Sequence, residues 1–204
     1  MRTGKSRSPA EWKLQLTATS SDRSRTAPLS SSFKHFEDTI QKEIDDVLAL
    51  KALFPIKLTN ALLPAMQGSQ KLALVLTCGS QAYIGTPYVS AYSATKGALH
   101  SWNRALAAEQ HETKSKVEIL EVVIGGTYTS LVAQDPSMKA GLFMPTAEVM
   151  AKSILARVGN GHRIVTAYFW HGVQLFLIYS FPMSVAGSIM AGVLKPSVEP
   201  KKAK

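Results

Sequence analysis

Two short runs constrain the fold more than anything else in this chain: "KLALVLTC" at 71–78 and "KVEILEVVIGG" at 116–126. The first is continuously apolar, without the alternation of a half-exposed strand, and predicts a strand buried on both faces. The second predicts another strand, closed by its two glycines. Between them the spacing predicts a helix from about 90 to 110, with Ala91, Ala94, Ala98, Trp102 and Ala105 on one face. After them "PTAEVMAKSILARVGNG" predicts a second helix, with Thr146 as N-cap, Glu148 in the first turn and Gly159 as the stop. Strand, helix, strand, helix in that order implies an α/β fold: a parallel sheet with covering helices.

The chain has 204 residues, enough for one domain with a sizeable core. Its formal charge of +9 suggests nucleic acid until the charges are located. Residues 1–32 carry six Lys/Arg against Glu11 and Asp22, and residues 195–204 carry four lysines against Glu199, so the tails hold +7 of the +9. A basic recognition face needs its charge gathered on the fold, which argues against a nucleic-acid partner. Cys78 is the only cysteine, so no internal disulfide can form. Paired Cys/His spacings are missing as well, and no metal site is expected.

The composition divides the chain into four parts. Residues 1–33 are rich in Ser, Thr and basic residues and read as a disordered leader. Residues 34–163 form the body. Its first helix is marked by Ile40, Ile44, Val47 and Leu48, with Pro55 expected to kink or interrupt it and Pro64 near its end. Residues 164–194 contain no Asp, Glu, Lys or Arg, a length that could span a bilayer, yet Gly172, Pro182, Gly187 and His171 weaken a spanning helix. A membrane-associated segment and a packed one both remain open. Residues 195–204 are a basic tail.

Within the predicted central helix, "SAYSATKGALHSWNRAL" places Tyr92 and Lys96 four residues apart, hence on one face. A phenol titrates near ~10, too high for ready proton exchange at neutral pH. A neighbouring ammonium stabilises the phenolate and brings that exchange into range. Ser80 follows the first strand, where loops of a parallel sheet carry ligands. Its hydroxyl is placed to bind the oxygen that Tyr92 protonates. By itself a Tyr-x-x-x-Lys is weak, because the pattern arises often by chance. The strand, the Gly-Ser and the proline-containing loop before it give it weight.

The segment "LVLTCGSQAYIGTPYVSAYSATKGALHSWNRALAAE" resembles the active-site segment of the short-chain dehydrogenase/reductase superfamily, and within it the very-long-chain 3-oxoacyl-CoA reductases and related hydroxysteroid dehydrogenases. The downstream "AGLFMPTAEVMAKSILARVGNG" and "WHGVQ" are in the same style, so the likeness runs from about 36 to 194. The resemblance implies a Rossmann-type doubly wound parallel sheet and NADPH-dependent reduction of a 3-oxoacyl-CoA or a steroid-like lipid carbonyl. It implies that Ser80 orients the substrate carbonyl and that Tyr92 is the acid/base. Lys96 then assists Tyr92 and holds the nicotinamide ribose. It also makes Gly125, Thr127 and Thr129 of "IGGTYT" candidate cofactor contacts, with Tyr128 and Ser130 nominated if the register shifts by one.

The chain also departs from that pattern. No strand followed by T-G-x-x-x-G-x-G precedes residue 71, so the fold is expected to lack the N-terminal dinucleotide-binding half. The family's catalytic asparagine falls at Lys51, and a lysine cannot accept the hydrogen bonds an amide carbonyl can. Ile124 stands where the family has proline. Three readings follow. The chain is a reductase by descent, a non-catalytic remnant that forms homo- or hetero-oligomers through the active-site helix, or a membrane protein whose C-terminal segment does the work. The C-terminal "KKAK" has the di-lysine spacing of retrieval signals, which predicts an endoplasmic-reticulum membrane location with the C-terminus in the cytosol.

Overall fold

A computed structural model of the chain describes residues 33–68, 73–130, 132–134, 138–195 and 198. The expected disordered leader and the lysines beyond Lys195 lie outside the described residues, leaving only Phe33 of the leader in view.

Helix α1 (Gln41–Leu48) runs through a wider π-helical turn, Ala49–Leu53, into α2 (Phe54–Gln67). The interruption therefore comes just before Pro55, which has no N–H to offer a carbonyl one turn back. Pro64 lies inside α2 and the helix continues to Gln67. Strand β1 (Ala73–Ser80) lies two residues later than the expected 71–78 and ends on Ser80 itself. Helix α3 (Ser90–Glu112), strand β2 (Val117–Ile124) and helix α4 (Ala147–Leu155) follow, then the two-residue strand β3 (Ile164–Val165) and helices α5 (Phe169–Tyr179) and α6 (Met183–Leu194). As expected, Thr146 caps α4, its Oγ1 accepting from Val149 N–H at 3.4 Å.

The sheet is parallel with order β1-β2-β3, and Ser80 pairs with Ile124 at the end of the β1–β2 ladder. Helices cover both faces. On one, Leu106 and Ala107 of α3 pack on Val117 and Ile119, with Leu63 and Met66 of α2 beside them. On the other, Leu120 and Val122 meet Ile154 of α4, Val158 and Ala167. Leu120 and Val122 are both fully buried, and each contributes about 1.5–3 kcal/mol through the area withdrawn from water.

The buried face of α3 follows the face marked in the sequence only in part: Ala91 and Trp102 are half-buried, and Trp102 packs against the core. Ser93, Thr95, Leu99, Asn103, Leu106, Ala107 and Gln110 turn inward, while Ala94, Ala98 and Ala105 are exposed. Small apolar residues mark helix propensity as much as burial. The inward stripe here carries polar residues with partners on several elements: Asn103 Nδ2 donates to Thr77 Oγ1 of β1 at 2.6 Å, and Gln110 Oε1 accepts from Gln67 Nε2 of α2 at 2.9 Å. Thr95 Oγ1 donates to Tyr92 O at 2.7 Å, while Asn103 Oδ1 has no partner among the described residues.

Candidate active site

Ser80 and Tyr92 reach their places through one connection. After β1 a 3₁₀ turn, Gln81–Ile84, begins with Ser80 Oγ accepting from Ala82 N–H at 3.2 Å. Gly85 then takes φ +95°, and Tyr88, not a glycine, takes φ +65°. A tyrosine in that left-handed region costs free energy that the surroundings must hold in place. Two contacts do so: Tyr88 O accepts from Lys34 N–H at 3.0 Å, and its ring meets His35 edge-on at 5.3 Å. The loop is also tied to α3, because Ser93 Oγ accepts from Thr86 N–H at 3.0 Å.

Tyr92 and Lys96 lie in the first two turns of α3, both half-buried, with Lys96 Nζ 5.5 Å from the centre of the Tyr92 ring. Lys51, on the π-helical turn, places its own Nζ 5.3 Å from the same ring centre. Two ammonium groups on two different elements therefore converge on one phenol. Wide turns of this kind recur at functional sites, where they re-aim a side chain.

The same ridge continues one turn further to His100, whose role the sequence reading missed. Its Nδ1 lies 2.9 Å from Glu121 Oε2, and its ring stacks on Tyr83 at 4.2 Å and 12°. Glu121 is fully buried in β2, and burial pushes its carboxyl up despite the opposing pull of His100. Its other oxygen has no partner and crowds Gly79, where an added Cβ would collide with Oε1. Tyr83 is displaced upward too, first by burial and then by its hydrogen bond to the Tyr179 hydroxyl at 2.7 Å. The signal for His100 was present as a Tyr-x₃-Lys-x₃-His ladder, and for Glu121 as an acid in the middle of the apolar run "ILEVVI".

The loop after β2 is fastened by a second unforeseen residue. His171 of α5 is fully buried, its Nδ1 accepting from Gly125 N–H at 3.0 Å while its Nε2 lies 3.0 Å from Gly126 O. One nitrogen accepts and the other donates, so the ring is neutral, and burial holds its acidity constant below the usual value. Gln81 Nε2 donates to His171 O at 2.8 Å, joining this bolt to the turn beside Ser80. Of the candidate cofactor contacts, Gly125 thus has its N–H engaged by protein. Thr127 Oγ1 sits 3.5 Å from Gly125 O, and Thr129 Oγ1 accepts from Val132 N–H at 3.4 Å. Both hydroxyls keep further hydrogen-bonding capacity.

A tyrosine and a lysine one helical turn apart on α3, following a serine that ends a parallel strand, make up the candidate site. The family model for short chain dehydrogenases matches residues 26–140, more than half the chain, and the protein belongs to that family. It is 32% identical over 156 residues to a very-long-chain 3-oxoacyl-CoA reductase of Lodderomyces elongisporus, an alignment covering 70% of this chain and 43% of that one. It is 28% identical over 150 residues to the enzyme of the same name from Aspergillus oryzae, covering 70% and 42%. The chain therefore spans less than half the length of these relatives. Among solved structures it is similar to a 7beta-hydroxysteroid dehydrogenase, with TM-score 0.67 and 17% identity over 78% of this chain and 62% of that one. At that identity the likeness speaks to the fold.

Proposed function

We propose that this chain supplies the proton-transfer side of a carbonyl reductase acting on a 3-oxoacyl-CoA or a related keto-lipid, with NADPH as the reductant. The observation that carries the reading is the approach of Lys96 Nζ to within 5.5 Å of the Tyr92 ring centre. The nicotinamide end of the cofactor fits the residues present: Lys96 beside Tyr92, and the Thr127 and Thr129 hydroxyls. Among the described residues no α-helix opens on a glycine-rich turn, so no residue is assigned to the diphosphate.

In this reading Ser80 donates a hydrogen bond to the substrate carbonyl oxygen and fixes its position. Bound, the reduced nicotinamide supplies a hydride to the carbonyl carbon. Tyr92 gives its phenolic proton to the oxygen as negative charge gathers there, completing the alcohol. The Lys96 ammonium offsets the charge left on the phenol oxygen. We also place the protein at the endoplasmic-reticulum membrane with its C-terminus in the cytosol, on the strength of the charge-free stretch and the "KKAK" tail.

The chain is co-expressed with the N-terminal dinucleotide-binding part of a curated relative, and NADPH oxidation is followed with a 3-oxoacyl-CoA. Tyr92→Phe keeps the ring and removes the proton, so the rate is expected to fall ~100-fold or more. Equal rates in the two proteins overturn the mechanism. A second reading, a non-catalytic partner of a full-length relative, is favoured by Lys51 in place of asparagine, and it is the outcome if the wild-type combination gives no turnover.

A further inference from the structure

The long charge-free stretch of residues 164–194 does not fold as one span. Helices α5 and α6 have 11 and 12 residues and are separated by Ser180–Phe181–Pro182. At 1.5 Å per residue each is about 17–18 Å long, well short of a hydrocarbon core of about 30 Å. Nor is α5 free to leave the domain, since His171 is bolted to Gly125 and Gly126 and Tyr179 to Tyr83.

What these helices present outward is apolar. Phe169 and Phe176, seven residues apart and so on one side of α5, are each 71% exposed, with His171 on the opposite side. On α6, Val185, Ile189 and Val193 follow at intervals of four and are all exposed, Val193 also to 71%. The start of α5 adds an aromatic group: Trp170 meets both Phe143 and Phe169 edge-on, and Tyr168 Oη donates to Leu142 O at 3.0 Å. Aromatic rings with one polar edge favour the boundary between hydrocarbon and water. Basic residues stand at both ends, Arg163 before the stretch and Lys195 after it, both exposed. A spanning segment would put those two charges on opposite sides of a bilayer. A segment lying in the surface keeps both among the headgroups.

We propose that α5 and α6 form a lipid-docking plateau that beds into the interfacial layer of an anionic bilayer without crossing it. Apolar side chains enter the boundary layer, and the flanking cations meet anionic headgroups. The other long apolar helix, Gln41–Gln67, is long and apolar enough to cross a membrane by length and composition. One side of it packs on α3 and carries Lys51 to Tyr92, while Leu50, Leu53 and Phe54 on it stay exposed. The proposal goes beyond the reductase reading, and its readout is lipid binding alone. It rests on the membrane location proposed above only for which bilayer is met in the cell.

The purified full chain is floated with phosphatidylcholine vesicles, with and without phosphatidylserine. It is expected to float, more strongly with phosphatidylserine and less as salt is raised. Phe176→Asp with Val193→Asp is expected to lower the vesicle partition coefficient about tenfold or more, and at two such exposed positions the fold should survive, as circular dichroism checks. Single cysteines, Arg163→Cys and Lys195→Cys in a Cys78→Ser background, should both react with an impermeant maleimide added outside the vesicles. Failure of the wild type to float on either vesicle overturns the proposal, as does undiminished floating of the double variant. A dimer that the double variant dissolves, with no flotation, assigns the face to a second copy. Protection of one cysteine but not the other means that the segment spans.

Discussion

Lys51 stands over the ring of Tyr92, its Nζ 5.3 Å from the centroid, at the position where the family resemblance implies an asparagine. An ammonium donates only, whereas a carboxamide both donates and accepts and so can pass a proton along a chain of hydrogen bonds. With the dinucleotide half supplied, Lys51→Asn is expected to raise kcat about tenfold with little change in KM. Rates measured across pH decide the matter. A fall in kcat would show that the second cation helps the phenol more than the lost relay costs.

Without that half, the 204-residue chain is expected to show no saturable binding at micromolar NADPH. The backbone donors and helix dipole that receive a diphosphate have no counterpart among the described residues. Calorimetry or nicotinamide fluorescence on the purified chain checks this, and a defined stoichiometric isotherm would contradict it.

Glu121 gives the protein an unusual dependence on pH. Burial raises its folded value above 4.5, so its contribution to stability is fully present below 4.5 and is lost as pH rises through the folded value. Glu121→Gln removes the ionisation and nearly keeps the shape. Urea unfolding should therefore show the variant at least as stable as the wild type at pH 7, with that part of the pH slope gone. A variant much weaker at pH 7 than at pH 4.5 would mean that the core depends on the ionised His100–Glu121 pair.

For His171 the sign is reversed. Its folded value is lowered, so its contribution is complete above the ordinary histidine value near ~6.5 and declines as pH falls below it, levelling off beneath the folded value. Protonation would turn Nδ1 into a donor facing the Gly125 N–H. Urea unfolding at pH 7.5 and 5.5 should show the loss. His171→Ala should cost about 2 kcal/mol or more at pH 7.5 and flatten the difference between the two.

The sequence was legible where one rule governed. The continuous apolar run of β1 and the Thr146 cap follow from local chemistry, and both appear within two residues of their expected places. It misled where tertiary packing chose among equals. The α3 helix could turn either its alanines or its Ser93–Asn103 stripe inward, and partners distant in sequence, Thr77 for Asn103 and Gln67 for Gln110, go with the second. Residues 164–194 read as one stretch because they lack charge, yet Pro182 and the pull of His171 toward β2 divide them. Of the candidate site, Ser80, Tyr92 and Lys96 stand in the sequence as a short-range pattern. His100 meets Glu121, and His171 meets Gly125, across separations of 21 and 46 residues, which no local window contains.

The fit of His171 against Gly125 also limits how this region can change. A methyl group added at residue 125 would sit 2.8 Å from the imidazole Cδ2, so alanine there is barred while the histidine remains. Shrinking residue 171 first clears the space but strands an amide hydrogen and a carbonyl that the ring had joined. Each route begins with a damaging step, and only the two changes together, with a new acceptor and donor, lead out. Chains that keep this histidine are thereby held to glycine at 125, whatever cofactor the loop does or does not meet.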